Sequence, residues 1–359
     1  MAGLARAPGA AGAGGRDRAL SVAEAARAPR LEADYAVLRR EVAAQGLLGR
    51  AHGYYLARAG SCFALLAGSV WLVVVAPPSP GWVILSAACL AFCVVQVALI
   101  GHDAGHQEVF VASRRNWALG MLCWSLVAGV AFWYWNDRHN AHHGHTNDPS
   151  NDPDIQGGGL LVFTEEQGRG RTGLRLLALR HQGLLAVLAA GLLAFWFRLE
   201  SLTYVLGKER GGRRTVELLL AGANCAGWLA AFLALGWKGL AEFLVTQALA
   251  SVYLAGLIAP NHKGMPVWAR EAPISFLERQ VLGSRNVTSH PLWDYLFGGL
   301  NYQIEHHLFP TMPRCNLKRA RAIVKPFCAA RGLEYVEVGP LRSYLMIRAA
   351  YVELKDRLS

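Results

Sequence analysis

Residues 135–145 read W-N-D-R-H-N-A-H-H-G-H, the densest run of histidine in the chain. His139, His142 and His143 stand at positions i, i+3 and i+4. On a helix this spacing places the three imidazoles on one face. The segment therefore predicts one wall of a metal site.

Two further clusters repeat this pattern elsewhere in the chain. Gln303, His306 and His307 have the same spacing, within N-Y-Q-I-E-H-H-L-F-P, and His102 and His106 stand at i and i+4. Three face-matched clusters in one chain indicate that all of them contribute to one site. Seven clustered histidines exceed the four ligands of a single tetrahedral zinc, so the prediction is a pair of metal ions with higher coordination numbers.

An eighth candidate ligand is His262, two residues after the apolar segment 240–260. His102 follows the apolar segment 82–101 in the same way. If both segments are membrane helices that end at one depth, the two imidazoles can face the same metal pair.

Other polar residues near the clusters are candidates for orienting the ligands. Metal-bound imidazoles usually donate their second N–H to a carboxylate or a carbonyl. The candidates for this outer shell are Asp103, Asp137, Asn261, Gln303 and Glu305.

Several residues keep two interpretations open. Asp148, Asp152 and Asp154 lie in N-D-P-S-N-D-P-D, which is either part of the outer shell or a solvated loop rich in turns. His145 belongs to the outer shell or faces solvent. His52, His181 and His290 are isolated, and we interpret them as packing or surface residues.

Composition favours a membrane protein. The chain of 359 residues is 53% hydrophobic and carries a formal net charge of +11. Its basic residues form no stripe suited to nucleic acid; Lys208, Arg210, Arg213 and Arg214 instead stand beside apolar segments. Such a cluster is typical of a cytoplasmic membrane face.

The apolar pattern predicts an all-α membrane protein with four transmembrane helices in two hairpins, interfacial helices and a cytosolic helical cap that holds the di-metal site. The predicted spans are 61–77, 82–101, 216–235 and 240–260. The cap comprises 102–183 and 261–359, within a single membrane domain 31–359, and residues 1–30 are expected to be a disordered tail.

Two other apolar segments, 117–135 and 184–199, are excluded from the spans by parity. The three clusters can share a site only if the chain crosses the bilayer an even number of times between them. We therefore expect 117–135 to lie along the interface or to re-enter the membrane, and 184–199 to lie along the interface. Under this topology the basic cluster and the histidines share one side, which the positive-inside rule makes the cytoplasm.

These motifs resemble the three histidine boxes of the integral-membrane fatty acid desaturases. The boxes are His102…His106, His139…His142-His143 and Gln303…His306-His307. A glutamine that opens the third box is typical of the front-end subgroup, and the context W-D-Y-L-F-G-G-L-N-Y-Q-I-E-H-H-L-F-P is similar to it.

The resemblance implies four membrane helices and two iron ions bound by the box histidines and His262. It leaves open whether Gln303 binds iron or only forms hydrogen bonds nearby. It further implies dioxygen as co-substrate and a fatty acyl substrate esterified to CoA, carrier protein or lipid. Trp133, Tyr134, Trp135 and Trp293 are candidate lining of the substrate tunnel or interfacial packing residues.

The H-P-G-G motif of a fused cytochrome-b5-like domain does not occur in the sequence. We therefore expect a separate electron donor, a ferredoxin or a cytochrome with its reductase. Two alternatives are weighed: a hydroxylase, acetylenase or alkane monooxygenase on the same scaffold, and a metal-transporting or metal-sensing membrane protein. Transporters place their ligands near the middle of the membrane, whereas these clusters follow the ends of apolar segments.

Overall fold

The computed structural model describes residues 22–156, 161–268 and 274–358, and for 22–30 the backbone alone. Residues 1–21 of the predicted disordered tail lie outside the described residues. Residues 22–30 differ from that prediction, since they are helical. Their sequence V-A-E-A-A-R-A-P-R is rich in alanine, which favours helix.

The first membrane hairpin is preceded by a helix that packs on the polar part of the molecule. The helices are α1 (Val22–Ala44), α2 (His52–Val75) and α3 (Pro80–Gly105). The predicted spans 61–77 and 82–101 lie within α2 and α3, apart from residues 76 and 77, which belong to the turn. Pro80 begins α3 at a position where its missing N–H costs no hydrogen bond.

The segment after α3 is bent and partly π-helical. It comprises α4 (Ser113–Met121), a π-helical segment (Leu122–Ala128) and α5 (Phe132–Gly144), with a bend of 110° before α5. Gly129 ends the π-helical segment at φ 72°, and a Cβ atom there would overlap the Arg198 guanidinium. A glycine is therefore required for the chain to turn at this place.

The second hairpin is preceded by three helices. The elements are α6 (Glu165–Gly168), α7 (Gly173–Arg180), α8 (Gln182–Gly207), α9 (Gly211–Leu235) and α10 (Trp237–His262). The predicted spans 216–235 and 240–260 lie within α9 and α10.

After α10, the regular elements of the described residues are helices and one pair of short strands. They are α11 (Phe276–Leu282), β1 (Asn286–Val287), α12 (Pro291–Leu296), α13 (Gln303–Leu308), α14 (Arg314–Ala329), β2 (Glu337–Val338) and α15 (Pro340–Leu358). β1 and β2 pair in parallel, with Asn286 opposite Glu337. The helical fold class is thus confirmed, with this strand pair as an addition that the sequence did not reveal.

Among the described residues, five helices are long and apolar enough to cross a membrane: α2, α3, α8, α9 and α10. The α4–α5 pair would be a sixth if it formed one broken span. Membrane association follows from these helices. The number of crossings remains a prediction, because α8 meets the length and hydropathy requirements although 184–199 was expected to be interfacial.

The two hairpin turns lie together. Lys238 Nζ, just after the second turn, donates to the carbonyl of Val73 near the end of α2. Ser86 Oγ, near the start of α3, donates to Glu242 Oε1 on α10 at 2.5 Å. We call this the turn end, and the opposite end, where α3 and α10 carry His102 and His262, the histidine end.

A separate core joins the polar elements at the histidine end. Buried apolar side chains of α1, α11, α13 and α14 pack into one cluster. Its fully buried members include Leu38, Leu277, Ile304, Leu308 and Val324. Because α13 carries His306 and His307, this core fixes the third histidine box relative to the rest.

Candidate metal centre

The structure brings all eight predicted ligand histidines together and divides seven of them into two groups. In each group the candidate ligand atoms lie within 4.8 Å of one another. The first group is His102, His106, His139 and His306; the second group is His142, His262 and His307.

His143 lies between the groups. Its Nε2 is 3.1 Å from His139 Nε2 in the first group, and its ring stacks on His307 of the second at 4.0 Å. All eight rings are buried except that of His139, which is half-buried. The seven box histidines and His262 therefore form one continuous cluster.

Four separate elements supply these rings. His102 and His106 come from the end of α3, and His262 is the last residue of α10. α5 contributes His139, His142 and His143 from one face, and α13 contributes His306 and His307. The convergence confirms that helix periodicity and equal helix depth were sound guides to proximity.

Each imidazole of the second group is held from outside by a hydrogen bond at Nδ1. His142 Nδ1 is 2.9 Å from Asp152 Oδ2, and His262 Nδ1 is 3.0 Å from the carbonyl of Gly283. His307 Nδ1 is 2.9 Å from Gln280 Oε1. A bond at Nδ1 to an acceptor fixes the tautomer that leaves Nε2 free to bind a metal.

In the first group this role falls to Asp103, 3.1 Å from His102 Nδ1. The other carboxylate oxygen of Asp103 accepts from Arg314 Nε, and both side chains are buried. His139 is held differently: its ring stacks on Trp135 with centroids 4.7 Å apart.

Most of the Nε2 atoms face one another or have no hydrogen-bond partner; His262 Nε2 also meets the Gln303 amide. The Nε2 atoms of His102, His306 and His307 are buried without a hydrogen-bond partner. His139 Nε2 is 2.8 Å from His106 Nε2, and His142 Nε2 is 3.2 Å from His262 Nε2. Buried nitrogen atoms without partners are costly unless a cation binds them, so this donor set fits two metal ions.

Burial and mutual repulsion keep most of the rings neutral. Burial lowers the pKa of His106, His139, His143, His306 and His307 well below the usual range, and neighbouring imidazoles lower it further. A neutral imidazole is the form that binds metals.

His142 is the exception. Burial lowers its pKa, but the Asp152 carboxylate outweighs this effect, and the pKa of His142 is raised above the usual value. Asp152 is fully buried and also accepts the backbone N–H groups of Asn147 and Asp154, each at 2.9 Å. The 148–154 loop was interpreted either as part of the outer shell or as a solvated loop. Asp152 lies in the outer shell.

Gln303 and Asn261 form a chain of contacts to the second group. Gln303 Nε2 is 2.9 Å from His262 Nε2, and Asn261 Nδ2 donates to Gln303 Oε1 at 2.9 Å. Gln303 therefore faces the inner side of the cluster, beside the nitrogen that would bind a metal.

Two of the three predicted outer-shell carboxylates form no hydrogen bond to a histidine. Asp137 is exposed and accepts from the Tyr204 hydroxyl. Glu305 is buried and accepts from Tyr335 and Asn286, both at 2.7 Å, and burial raises its pKa to about 7. Asp137 precedes His139 by two residues and Glu305 precedes His306 by one, and at these offsets the helix turns both side chains away from the ligand face.

The remaining histidines lie apart from the centre. His145 is exposed, and its Nδ1 is 3.1 Å from the carbonyl of Ala141. His52 and His290 cap or begin helices, and His181 lies between α7 and α8.

Sequence reasoning missed Gln280, Gly283 and Arg314. These residues lie in segments without histidine and reach the site only through tertiary packing. Gln280 is fully buried, and its Nε2 also donates to the carbonyl of His143 at 2.9 Å. A fully buried amide in a short helix has no signal in a single sequence.

A large cavity adjoins the histidines. Its volume is about 1050 Å³, near the upper end of ligand pockets, which run to roughly 1,000 Å³. Its walls come from α3, α5, α8, α10 and α15 and are mostly apolar. His102, His139, His142 and His262 face it, as do Trp124 and Trp135. Trp133, Tyr134 and Trp293 do not line it.

Comparison with known proteins agrees with this site. A sequence model described as fatty acid desaturase matches residues 76–339. An acyl-lipid (9-3)-desaturase of Physcomitrium patens is 29% identical over 86% of this chain and 60% of its own length. A Delta(6)-fatty-acid desaturase of Caenorhabditis elegans is 28% identical over 83% of this chain and 70% of its own length.

Fatty acid desaturase 3 of Bos taurus is 32% identical over 74% of this chain. The chain spans 60% of the length of the moss and bovine relatives. The resemblance that the three histidine boxes indicated is confirmed, and the chain belongs to the fatty acid desaturase family.

Proposed function

We propose that this protein catalyses the oxygen-dependent desaturation of a fatty acyl chain at a histidine-bound pair of iron ions. The observation that carries the proposal is the inward convergence of unpartnered Nε2 atoms beside a long apolar cavity. Metal ligands that open onto a cavity of this size suit oxidation of a long apolar substrate.

The residues that would hold one iron are the first group, and the second group would hold the other, with His143 between them. When bound, the iron pair supplies the reduction of dioxygen to water, coupled to removal of two hydrogens from adjacent carbons. Because the acyl chain supplies only two of the four electrons and four protons that reduce dioxygen to water, the reaction also requires an electron donor. We propose a separate ferredoxin or cytochrome with its reductase.

The chain's own residues supply orientation and a dry environment. The Nδ1 partners of the second group hold three ring planes in place before metal binds. Trp124 and Trp135 stack at 4.7 Å and line the cavity beside His102 and His139. Such a wall excludes water and holds an acyl chain against the centre.

The proposed topology has four membrane spans, and α8 is not one of them. Gln182, at the start of α8, accepts from the Val162 N–H at 3.1 Å, and Tyr204, near its end, donates to Asp137. Both partners belong to the 132–164 segment that carries the second histidine box. These two contacts support a position of α8 along the interface, and that position would restore the even number of crossings that the clustered histidines require.

The basic residues near the histidine end support a position of that end on the cytoplasmic side of the membrane. Lys208 and Arg210 lie between α8 and α9, and Arg213 and Arg214 lie in the first turn of α9, opposite the turn end. The positive-inside rule favours a cytoplasmic histidine end. Labelling of single cysteines introduced at Arg210 and at Gly236 in intact cells would test this; reaction at position 210 from outside would refute it.

The decisive test is to express the full chain with a suitable reductase and locate double bonds in total fatty acids. We expect a new double bond whose formation needs dioxygen and iron. A product that retains an oxygen atom would indicate a hydroxylase instead. Active protein that contains zinc alone would refute the di-iron centre, and metal uptake without lipid oxidation would favour a transporter.

A further inference from the structure

The outer part of the cavity has a charge pattern that the desaturation chemistry does not use. Arg180, the last residue of α7, and His181, between α7 and α8, line it from one wall. Arg348 and Lys355 on α15 line it from another. The carboxylates of the lining, Asp152 and Asp154, belong instead to the inner part, beside His142.

α15 presents its cations to the cavity on one helical face. Tyr344, Arg348, Tyr351 and Lys355 follow the i, i+4, i+7, i+11 spacing and all line the cavity. The Tyr344 hydroxyl donates to the carbonyl of Gly256 at 2.7 Å, which ties α15 to α10. Arg342, on the same helix, lies outside the lining.

The outer arginines differ from the inner cations in their partners. Arg138 donates to Asp154 Oδ1 at 3.0 Å, and Lys263 donates to the carbonyl of Asp154 at 2.7 Å. Within the described part of the chain, Arg180 and Arg348 form neither an ion pair nor a hydrogen bond to an acceptor, and both are exposed. Their guanidinium groups are therefore available to a ligand at the mouth of the cavity.

We infer that this mouth binds the phosphate of an esterified acyl substrate, with Arg180 and Arg348 as the specificity-determining residues. The inference rests on the proposed function, because it takes the cavity to be the acyl site. Guanidinium groups match phosphate oxygens in geometry and charge. Two unpaired arginines at an apolar cavity suit a chain that enters with its phosphate-bearing headgroup left outside.

This phosphate chemistry is shared by acyl-CoA and by phospholipids. The test therefore uses three probes that carry one fluorescent acyl chain: an acyl-CoA, a phosphatidylglycerol and a diacylglycerol, which has no phosphate. Binding is measured to the metal-free full chain in neutral nanodiscs, so that the readout is independent of activity. The variants are Arg180→Gln, Arg348→Gln and the double variant.

Matched controls are Arg175→Gln on α7 and Arg342→Gln on α15, both exposed and both outside the lining. We expect the double variant to bind a phosphate probe roughly tenfold more weakly, as charge-assisted hydrogen bonds of this kind imply. Diacylglycerol binding and both controls should be unchanged. The phosphate probe that shows the loss identifies the source, acyl-CoA or phospholipid.

Equal losses for diacylglycerol, equal losses in the controls or no loss for either phosphate probe would overturn the inference. The first two results would mean that the arginines act on the cavity walls or on the bilayer. In active membranes the same double variant should raise KM and leave kcat unchanged. If the probes bind as expected but no substrate gains a double bond, the proposed function fails and the phosphate site does not.

Discussion

The two histidine groups are held by different means. Every ring of the second group is bonded at Nδ1 to a fixed acceptor: Asp152, the carbonyl of Gly283 or Gln280. Within the described part of the chain, His102 is the one ring of the first group held in this way. His139 is held by stacking on Trp135.

This difference has consequences for the metal that each group would bind. A hydrogen bond at Nδ1 fixes both the tautomer and the direction of Nε2, whereas stacking fixes the ring plane but not the tautomer. The second group is therefore the more preorganised one. The first group depends on ring packing and on the single Asp103 carboxylate, which is also the ion-pair partner of Arg314.

The largest effect is expected when a ligand is removed from either group. His142→Ala and His139→Ala should each abolish desaturation and reduce bound iron, while the protein still inserts into membranes. Iron per protein and double-bond formation are the measurements. His145→Ala is the matched control, since His145 lies outside the cluster, and it should retain both. Activity retained in His142→Ala would contradict its role as a ligand.

The next largest effect is expected on the stability of the fold around the first group. Asp103→Asn removes the charge that faces the buried Arg314. Because it leaves a buried charge without its partner, we expect a loss of about 3–5 kcal/mol in the free energy of unfolding. Thermal unfolding in detergent measures it, and Asp103→Asn with Arg314→Met should recover part of the loss. A single variant as stable as the parent would show that the pair is unimportant.

In the second group the corresponding carboxylate should act on metal affinity instead. Asp152→Asn keeps the size of the side chain but weakens the acceptor of His142 Nδ1. Loss of such an outer partner costs roughly 10- to 100-fold in metal affinity. Titration of iron release with a chelator measures this change. A much larger loss of stability than of affinity would mean that Asp152 serves the loop rather than the metal site.

The proximity of the histidines in the two groups could largely be predicted from the sequence. The spacing of His102 and His106, and that of His139, His142 and His143, reports helical faces and therefore proximity. The position of His262 after an apolar segment was informative for the same reason. These signals are local and periodic, so one sequence is enough to detect them.

The outer partners were harder to predict, because they depend on tertiary packing. Gln280 lies 27 residues before its partner His307, and Gly283 lies 21 residues after its partner His262, so no helical periodicity links either pair. Proximity in sequence was misleading for Asp137 and Glu305, which stand beside ligands but point away from them. The status of α8 was also ambiguous, since length and hydropathy do not distinguish a span from a long interfacial helix.

A smaller effect should follow from weakening the stacking in the first group. Trp135→Leu removes the ring that contacts His139 and Trp124. Aromatic pairs contribute about 0.5–1.5 kcal/mol beyond their buried area, so iron affinity should fall roughly two- to tenfold. The same chelator titration measures it. A loss as large as that of Asp152→Asn would show that stacking orients a ligand as well as a hydrogen bond does.

The smallest effect is expected at Asp137, where sequence and structure disagree most directly. As an orienting carboxylate it would resemble Asp152, and Asp137→Asn would then weaken iron binding at least tenfold. The structure places it instead on the exposed side of α5, against the Tyr204 hydroxyl near the end of α8. An exposed contact of this kind changes stability by no more than about 0.5 kcal/mol. We therefore expect unchanged iron release in Asp137→Asn. A loss of iron affinity as large as that expected for Asp152→Asn would instead show that Asp137 orients a metal ligand.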